Sequence, residues 1–198
     1  MYKVYGRLQN RASRVIWLLE ELGQDYEFID ASPHDPRVLA LNPTGKVPVL
    51  EDDGMVLTDS SAIMTYLADK HGDLTYPAGT KERAQQDSLF FALLDDFDSV
   101  LWTASRHKFV LPEDKRVPEV KPSLAWEFDR NFKRMAKRFN GPFLQGDKMT
   151  IADILCCHCM SWAHNAKFPM NDETMLAYSS GLRKRPAYKR MAALSAPT

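Results

Sequence analysis

Short alternating runs crowd the first third of the chain, and helical stripes fill the remainder. Tyr2-Lys3-Val4-Tyr5 alternates aromatic and β-branched residues with a polar one and predicts a strand. Val15, Leu18, Leu19 and Leu22 then recur at i, i+3, i+4 and i+7, which predicts a helix stopping at Gly23. Tyr26-Glu27-Phe28-Ile29 predicts a second strand directly afterwards. From Val47 to Leu57 two apolar runs flank Asp53-Gly54, the signal of a tight hairpin. Thr58-Asp59-Ser60-Ser61 places hydroxyls and a carboxylate where an N-cap belongs, ahead of Ile63, Met64 and Leu67, so a helix is expected from about Ser60 to His71. The order is βαβ, connector, ββα, an α/β unit with one mixed sheet flanked by helices.

Asp73-Leu74-Thr75-Tyr76-Pro77-Ala78-Gly79 carries turn residues and reads as a linker, beyond which no strand pattern recurs. Leu89, Phe90, Leu93, Leu94, Phe97 and Leu101 predict one long helix over about Lys81 to His107. Leu124, Phe128, Phe132, Met135 and Phe139 predict another, with Pro112, Pro118 and Pro122 marking the break between them. Thr150 and Asp153 have capping-box spacing, and Met149 and Ile154 are placed as a hydrophobic staple, so a further helix starts there. The domains expected are 1–74, a linker at 75–80, and an all-helical domain at 81–198.

Composition narrows the function classes. With 26 basic and 26 acidic residues the net charge is zero, which favours neither nucleic acid nor an anionic membrane surface. No apolar run approaches the ~20 residues that span a bilayer. The three cysteines crowd at positions 156, 157 and 159, an arrangement that is no disulfide framework and points to a reducing cytoplasm. The first 155 residues contain no thiol, so the α/β unit cannot itself exchange disulfides. Cys156-Cys157-His158-Cys159 has zinc-ligand residue types, yet adjacent residues of a helix point about 100° apart and cannot all converge. Small buried side chains of a core helix explain the run better, and no metal is expected.

The most specific chemistry lies in Asn42-Pro43-Thr44-Gly45-Lys46-Val47-Pro48-Val49-Leu50 and in Asp59-Ser60. A proline in an apolar run cannot donate to a ladder, so Pro48 is expected at a sheet edge or a distortion, with backbone groups left free beside it. A cis Val47-Pro48 bond costs only about 0.5–1 kcal/mol and would turn the Val47 amide and carbonyl towards a ligand lying alongside. A peptide could pair there like an added strand. The same residues also suit an edge strand whose proline discourages aggregation. Free amides at the start of the Ser60 helix offer a site for an anion.

These motifs resemble the glutathione-binding half of the soluble glutathione transferases, of the bacterial type. Gly141-Pro142-Phe143-Leu144-Gln145-Gly146-Asp147 before the capped Thr150 helix, and Arg185-Pro186-Ala187-Tyr188 near the end, resemble that family's C-terminal domain. The resemblance runs from about residue 2 to about residue 194. It implies a thioredoxin-like N-terminal domain, an all-α C-terminal domain and a homodimer. It assigns the cysteinyl backbone of glutathione to Val47 before a cis Pro48, the γ-glutamyl end to Asp59 and Ser60, and the glycine carboxylate to Lys46 and His34. Glutathione enters as co-substrate, and no cofactor is implied.

Such a protein must lower the pKa of a bound thiol, near 8.5 when free. The place to look is the Arg7–Arg14 segment, where relatives with a similar Arg-Ala-Ser-Arg run often have serine at the position of Asn10. An asparagine amide can donate to a thiolate and Arg11 would add positive potential; Asn10 can equally be only a helix N-cap. Tyr5 belongs to the strand and is not assigned the role that tyrosine plays in some members. The resemblance further implies that Arg7, Trp102, Arg106 and Phe109 line the pocket of a second, apolar and electrophilic substrate. Two other readings of the same site stay open: glutathione-dependent peroxide or disulfide reduction, and a non-catalytic interaction module.

Overall fold

A computed structural model describes residues 1–194 and divides the chain into two units. The first comprises Met1–Ala78 with the segment from Leu182, the second Gly79–Gly181. In the first, β1 (Tyr2–Gly6), β2 (Tyr26–Asp30), β3 (Val49–Asp52) and β4 (Met55–Thr58) form a sheet in the order β2-β1-β3-β4. β1 pairs parallel with β2 and antiparallel with β3, and β3 pairs antiparallel with β4. Strand β3 is therefore interior, so of the two placements expected for its proline the edge does not hold and the distortion does, at a cis Val47-Pro48 bond. Pro48 sits just before the ladder begins at Val49, a place where a missing N–H breaks no pairing.

Helix α1 (Ala12–Leu22) ends on left-handed Gly23, and α3 (Ser60–His71) ends on left-handed Gly72, both as glycine C-caps. The connector holds a helix that the periodicity did not announce, α2 (Pro36–Leu41), capped by Asp35 with Pro36 in its first turn. Val38 of α2 packs with Tyr5, Ala31 and Val49, while Val4 and Leu50, one step along their strands, are buried on the opposite face. Helix α9 (Pro186–Ala193) groups with this unit. Arg185 clamps Glu21 of α1 with two bonds of 2.7 Å, Arg190 reaches Glu20, and Tyr188 meets Trp17 edge-on at 4.9 Å.

The second unit is helical: α4 (Lys81–Leu93), α5 (Val100–Ser105), α6 (Val120–Arg138), α7 (Ile151–Ala166) and α8 (Glu173–Arg183), the last straddling the boundary at 181. The long helix expected to about His107 runs on to Val110 and is widened to π turns at Leu94–Ser99 and Arg106–Val110. Asn131 of α6 donates to the Asp96 carbonyl within the first widened turn at 3.2 Å. Pro122 lies in the first turn of α6, where a missing N–H is tolerated. Phe97, Phe128, Phe132 and Phe168 fill the core between them.

Thr150 and Asp153 close the capping box of α7, and Met149 and Ile154 are buried beside it. Asp153 is fully buried and also accepts from the Leu144 amide at 2.9 Å and the Tyr178 hydroxyl at 2.7 Å. Burial pushes its carboxyl above the usual range, against the pull of those donors. Cys156, Cys157 and Cys159 are buried along α7; Cys157 faces Ser179 and Cys159 faces Asp98. Among the described residues no three His, Cys, Asp or Glu side chains converge as a metal site requires, and no helix is long and apolar enough to cross a membrane.

Candidate functional site

The candidate site occupies one end of the sheet in the first unit, where β1 ends, β3 begins and β4 ends. Both ladders end at Val49, opposite Tyr5 of β1 and Thr58 of β4. Val47 lies two residues before Val49, Arg7 two residues after Tyr5, and Ser60, the first residue of α3, two residues after Thr58. Val47, the loop that opens α1 and the start of α3 thus share one end of the sheet. The Val47-Pro48 bond is cis, and among the described residues no hydrogen bond engages the Val47 amide or carbonyl. That free pair can receive an extended peptide.

The two helix starts supply the electrostatics. Asp59, with φ of 71°, caps α3 by accepting from the amides of Ser61 at 2.8 Å and Ala62 at 3.1 Å. The amide of Ser60 is left out of that cap and points, with the helix dipole, towards any anion bound there. Asp59 is exposed, so its second carboxylate oxygen can meet a cation. A residue that sequence reasoning gave no role completes this corner: Arg14 of α1, only 1% exposed, extends Nη1 to 3.4 Å from Ser60 Oγ. The signal was available, because Arg14 stands four residues before Leu18 on the apolar stripe, where a charge demands a partner.

At the other helix start the chain turns through residues 7–11. Asn10 Oδ1 accepts from the Ala12 amide at 2.9 Å, and the Asn10 carbonyl accepts from the Ser13 amide and hydroxyl. Asn10 thus caps the first amide of α1 from the residue before its N-cap position, Arg11, and since Oδ1 is fixed by an N–H donor, its Nδ2 remains the group available to a ligand. Gly6 is where this loop and Val47 meet: a Cβ there would stand 2.5 Å from Ala12 Cβ, 3.6 Å from Asn10 Oδ1 and 3.7 Å from Val47 Cβ. Arg11 is partly buried beside Asn10, and Arg7 pairs with Asp30 at 3.3 Å. The Tyr5 hydroxyl is bound to Glu51, and burial together with that bond raises it to about 12, a poor donor to a thiolate.

Lys46 and His34 come together on one turn. The His34 amide donates to the Gly45 carbonyl at 2.8 Å, and its ring covers Gly45 so closely that a Cβ there would lie 2.2 Å from Nδ1. Buried Asn42, a second residue without a role in the sequence reading, holds the turn by donating to the Lys46 carbonyl and accepting from the Thr44 amide and hydroxyl. The Lys46 ammonium has no acidic partner among the described residues. Trp102, Arg106 and Phe109 lie in the second unit, the first within α5 and the other two in the π turn after it. Arg106 donates to Thr103 at 3.0 Å, and Phe109 is exposed.

The family described as "Glutathione S-transferase, N-terminal domain" matches residues 10–77. Glutathione S-transferase 4 of Zea mays is 30% identical over 96% of this chain and 91% of its own length. The chain belongs to the glutathione S-transferase family. A glutathione transferase of Methylococcus capsulatus has a solved structure that superposes with a TM-score of 0.81 at 27% identity, over 98% of each chain. The transferase URE2P6 of Phanerochaete chrysosporium, solved with oxidized glutathione, superposes at 0.84 and 22% identity over 98% of this chain and 95% of that one, a likeness of fold. Plant, bacterial and fungal transferases thus all match, and the bacterial type expected from the sequence is not singled out. The glutathione S-transferase fold accounts for the four-stranded thioredoxin-like unit and for the all-helical part.

Proposed function

We propose that this glutathione S-transferase binds glutathione across the sheet end and transfers its thiol to an apolar electrophile. The observation that carries the reading is the free backbone of Val47, flanked by two helix N-termini. In this reading the cysteinyl backbone pairs with Val47, the γ-glutamyl carboxylate lies on Ser60 with Arg14 behind it, and the ammonium meets Asp59. The glycine carboxylate meets Lys46, with His34 on the same turn. Each charged end of the peptide then faces its complement.

The thiol falls to Asn10, whose Nδ2 donates to it, with Arg11 and the α1 dipole favouring the thiolate. The thiolate sulfur donates its electron pair to the electrophilic carbon, forming the C–S bond as the leaving group departs with its own pair. A homodimer in the cytoplasm completes the proposal, and light scattering of the purified protein reads the dimer directly.

One observation favours the non-catalytic module instead: Asn10 is already occupied as a cap and offers no hydroxyl. A panel of electrophiles and hydroperoxides, each assayed with glutathione, decides. Conjugates with displaced leaving group support the transfer; oxidized glutathione formed only from hydroperoxides makes the site a reductase. No turnover with intact glutathione binding makes it a binding module.

A further inference from the structure

The sheet of the first unit leaves β2 as an outer strand, paired with β1 on one side only. Its register runs unbroken from Tyr26 to Asp30, and the strand carries no proline, lysine or bulge of the kind that ordinarily guards an open edge. Among the described residues nothing outside β1 bonds the backbone of residues 26–29, and the edge closes only at Asp30, whose carbonyl takes Arg37 Nη2 at 2.9 Å. Beside the edge, on the α1 side, runs a groove of about 610 Å³ with Leu19, Phe28 and the exposed Leu194 in its walls. The Tyr26 hydroxyl donates to Glu20 at 2.6 Å, and Arg190 binds the other oxygen of that carboxylate, so the hydroxyl and the cation of the wall are already engaged. Strand alternation sends Tyr26 and Phe28 to this side and Glu27 and Ile29 to the other, where Ile29 packs with Tyr5 and Val38. Glu27 is exposed and makes no ion pair among the described residues; Lys3, its neighbour on β1, stands between Glu27 and Glu51.

We infer that β2 takes up an extended segment of a partner protein as an added strand, one in which apolar residues alternate with lysine or arginine. Main-chain bonds to the open edge hold the segment, while its alternate side chains read the two faces: apolar ones enter the groove against Leu19, Phe28 and Leu194, and basic ones meet Glu27. Asp25 adds a second carboxylate without an ion pair just before the strand begins. The cations nearby do not offset these acids, since Arg190 is bound to Glu20, Arg37 to Asp35 and Arg7 to Asp30, and Lys3 faces two carboxylates. The same acids disfavour a second copy of this edge, which would bring its own Asp25 and Glu27 to the seam. A helix fits less well, because its backbone groups are spent internally and leave those of residues 26–29 unpaired.

The test is fluorescence anisotropy of the full chain with a labelled peptide in which valine and lysine alternate, against a peptide of the same composition with its lysines grouped at one end. Wild type should bind the alternating peptide, more weakly as salt rises, and at least about tenfold more tightly than the grouped one. Bound peptide should slow amide exchange in β2 and leave β4, the other edge of the sheet, unchanged. Glu27→Lys should weaken binding at least about tenfold, and Leu194→Ser several-fold with the salt dependence kept. Both positions are exposed, so both variants should keep the wild-type melting temperature. Absence of binding, equal binding of the grouped peptide, equal binding by either variant, or protection that bypasses β2 would each overturn the inference. So would a fall in sedimenting mass on adding the peptide, which would make a second copy of the chain the occupant of this edge.

Discussion

Asn10 has two duties that a single substitution pattern can separate. As a cap it satisfies the Ala12 amide; as a donor it offers Nδ2 to a thiolate. Asn10→Ala removes both, so it should destabilise the fold by about 1 kcal/mol and raise the apparent pKa of bound glutathione, moving the pH–rate profile to higher pH. Asn10→Ser keeps a capping oxygen and a donor and should retain much of the turnover. A profile unchanged in Asn10→Ala would transfer the role to Arg11 or to backbone amides. Gly6 is the steric counterpart, since a methyl group there meets Ala12 Cβ at 2.5 Å. Gly6→Ala should cost about 1–3 kcal/mol in denaturant unfolding, because neither the strand end nor the helix start can withdraw without moving the other. Wild-type stability in that variant would show that the loop has more room than its contacts imply.

Among the elements, α7 and α2 carry the clearest expectations. Thr150→Ala should destabilise by about 0.5–2 kcal/mol through the lost cap. Asp153→Ala should cost more, since it strands the buried Tyr178 hydroxyl and Thr150 amide as well as the partly buried Leu144 amide. Equal melting temperatures for the two variants would contradict that ordering. Helix α2 depends on Asp35, whose carboxyl is held at about 2 by its bonds to Arg37 and to the Arg37 amide. A carboxyl lowered on folding contributes stability fully above its unfolded value, near 4, and loses it as pH falls through about 2. Amide exchange in α2 should therefore accelerate relative to α1 as pH falls from about 4 to about 2, and Asp35→Asn should abolish that difference.

The elements that the sequence made legible are those written in local signals: Gly23 and Gly72 as helix stops, Asp53-Gly54 as a hairpin, Asp59 before a periodic helix. Helix α2 was also written locally, as Asp35-Pro36, but six residues give too few turns for a stripe to show. The π turns were not legible, because a short wide turn shifts the apolar stripe by only about one position, which the i+3 and i+4 alternation of an ordinary helix already spans. The sequence left an edge and a distortion both open for β3, because Pro48 constrains only its own ladder position and strand order depends on partners far along the chain.

In the molecule as a whole, the site was half legible for the same reason. Val47-Pro48, Asp59 and Ser60 lie within fourteen positions of one another and carry their chemistry in the local motif. The Arg14–Ser60 contact spans 46 positions and emerges only when α1 and α3 share a sheet. The convergence of Gly6, Asn10 and Val47 likewise requires the β1–β3 register. The fold thus brings a peptide-pairing backbone, two helix starts and opposite charges to one sheet end, and the claim that follows is that glutathione binds there. Titration calorimetry of glutathione into wild type and Asp59→Asn tests it most directly, because asparagine keeps the α3 cap while removing the charge meant for the γ-glutamyl ammonium. The account predicts one glutathione per chain in wild type and affinity lower by about tenfold or more in Asp59→Asn, with equal melting temperatures for the two free proteins. Absence of heat in wild type, or equal affinity in the variant, would contradict it.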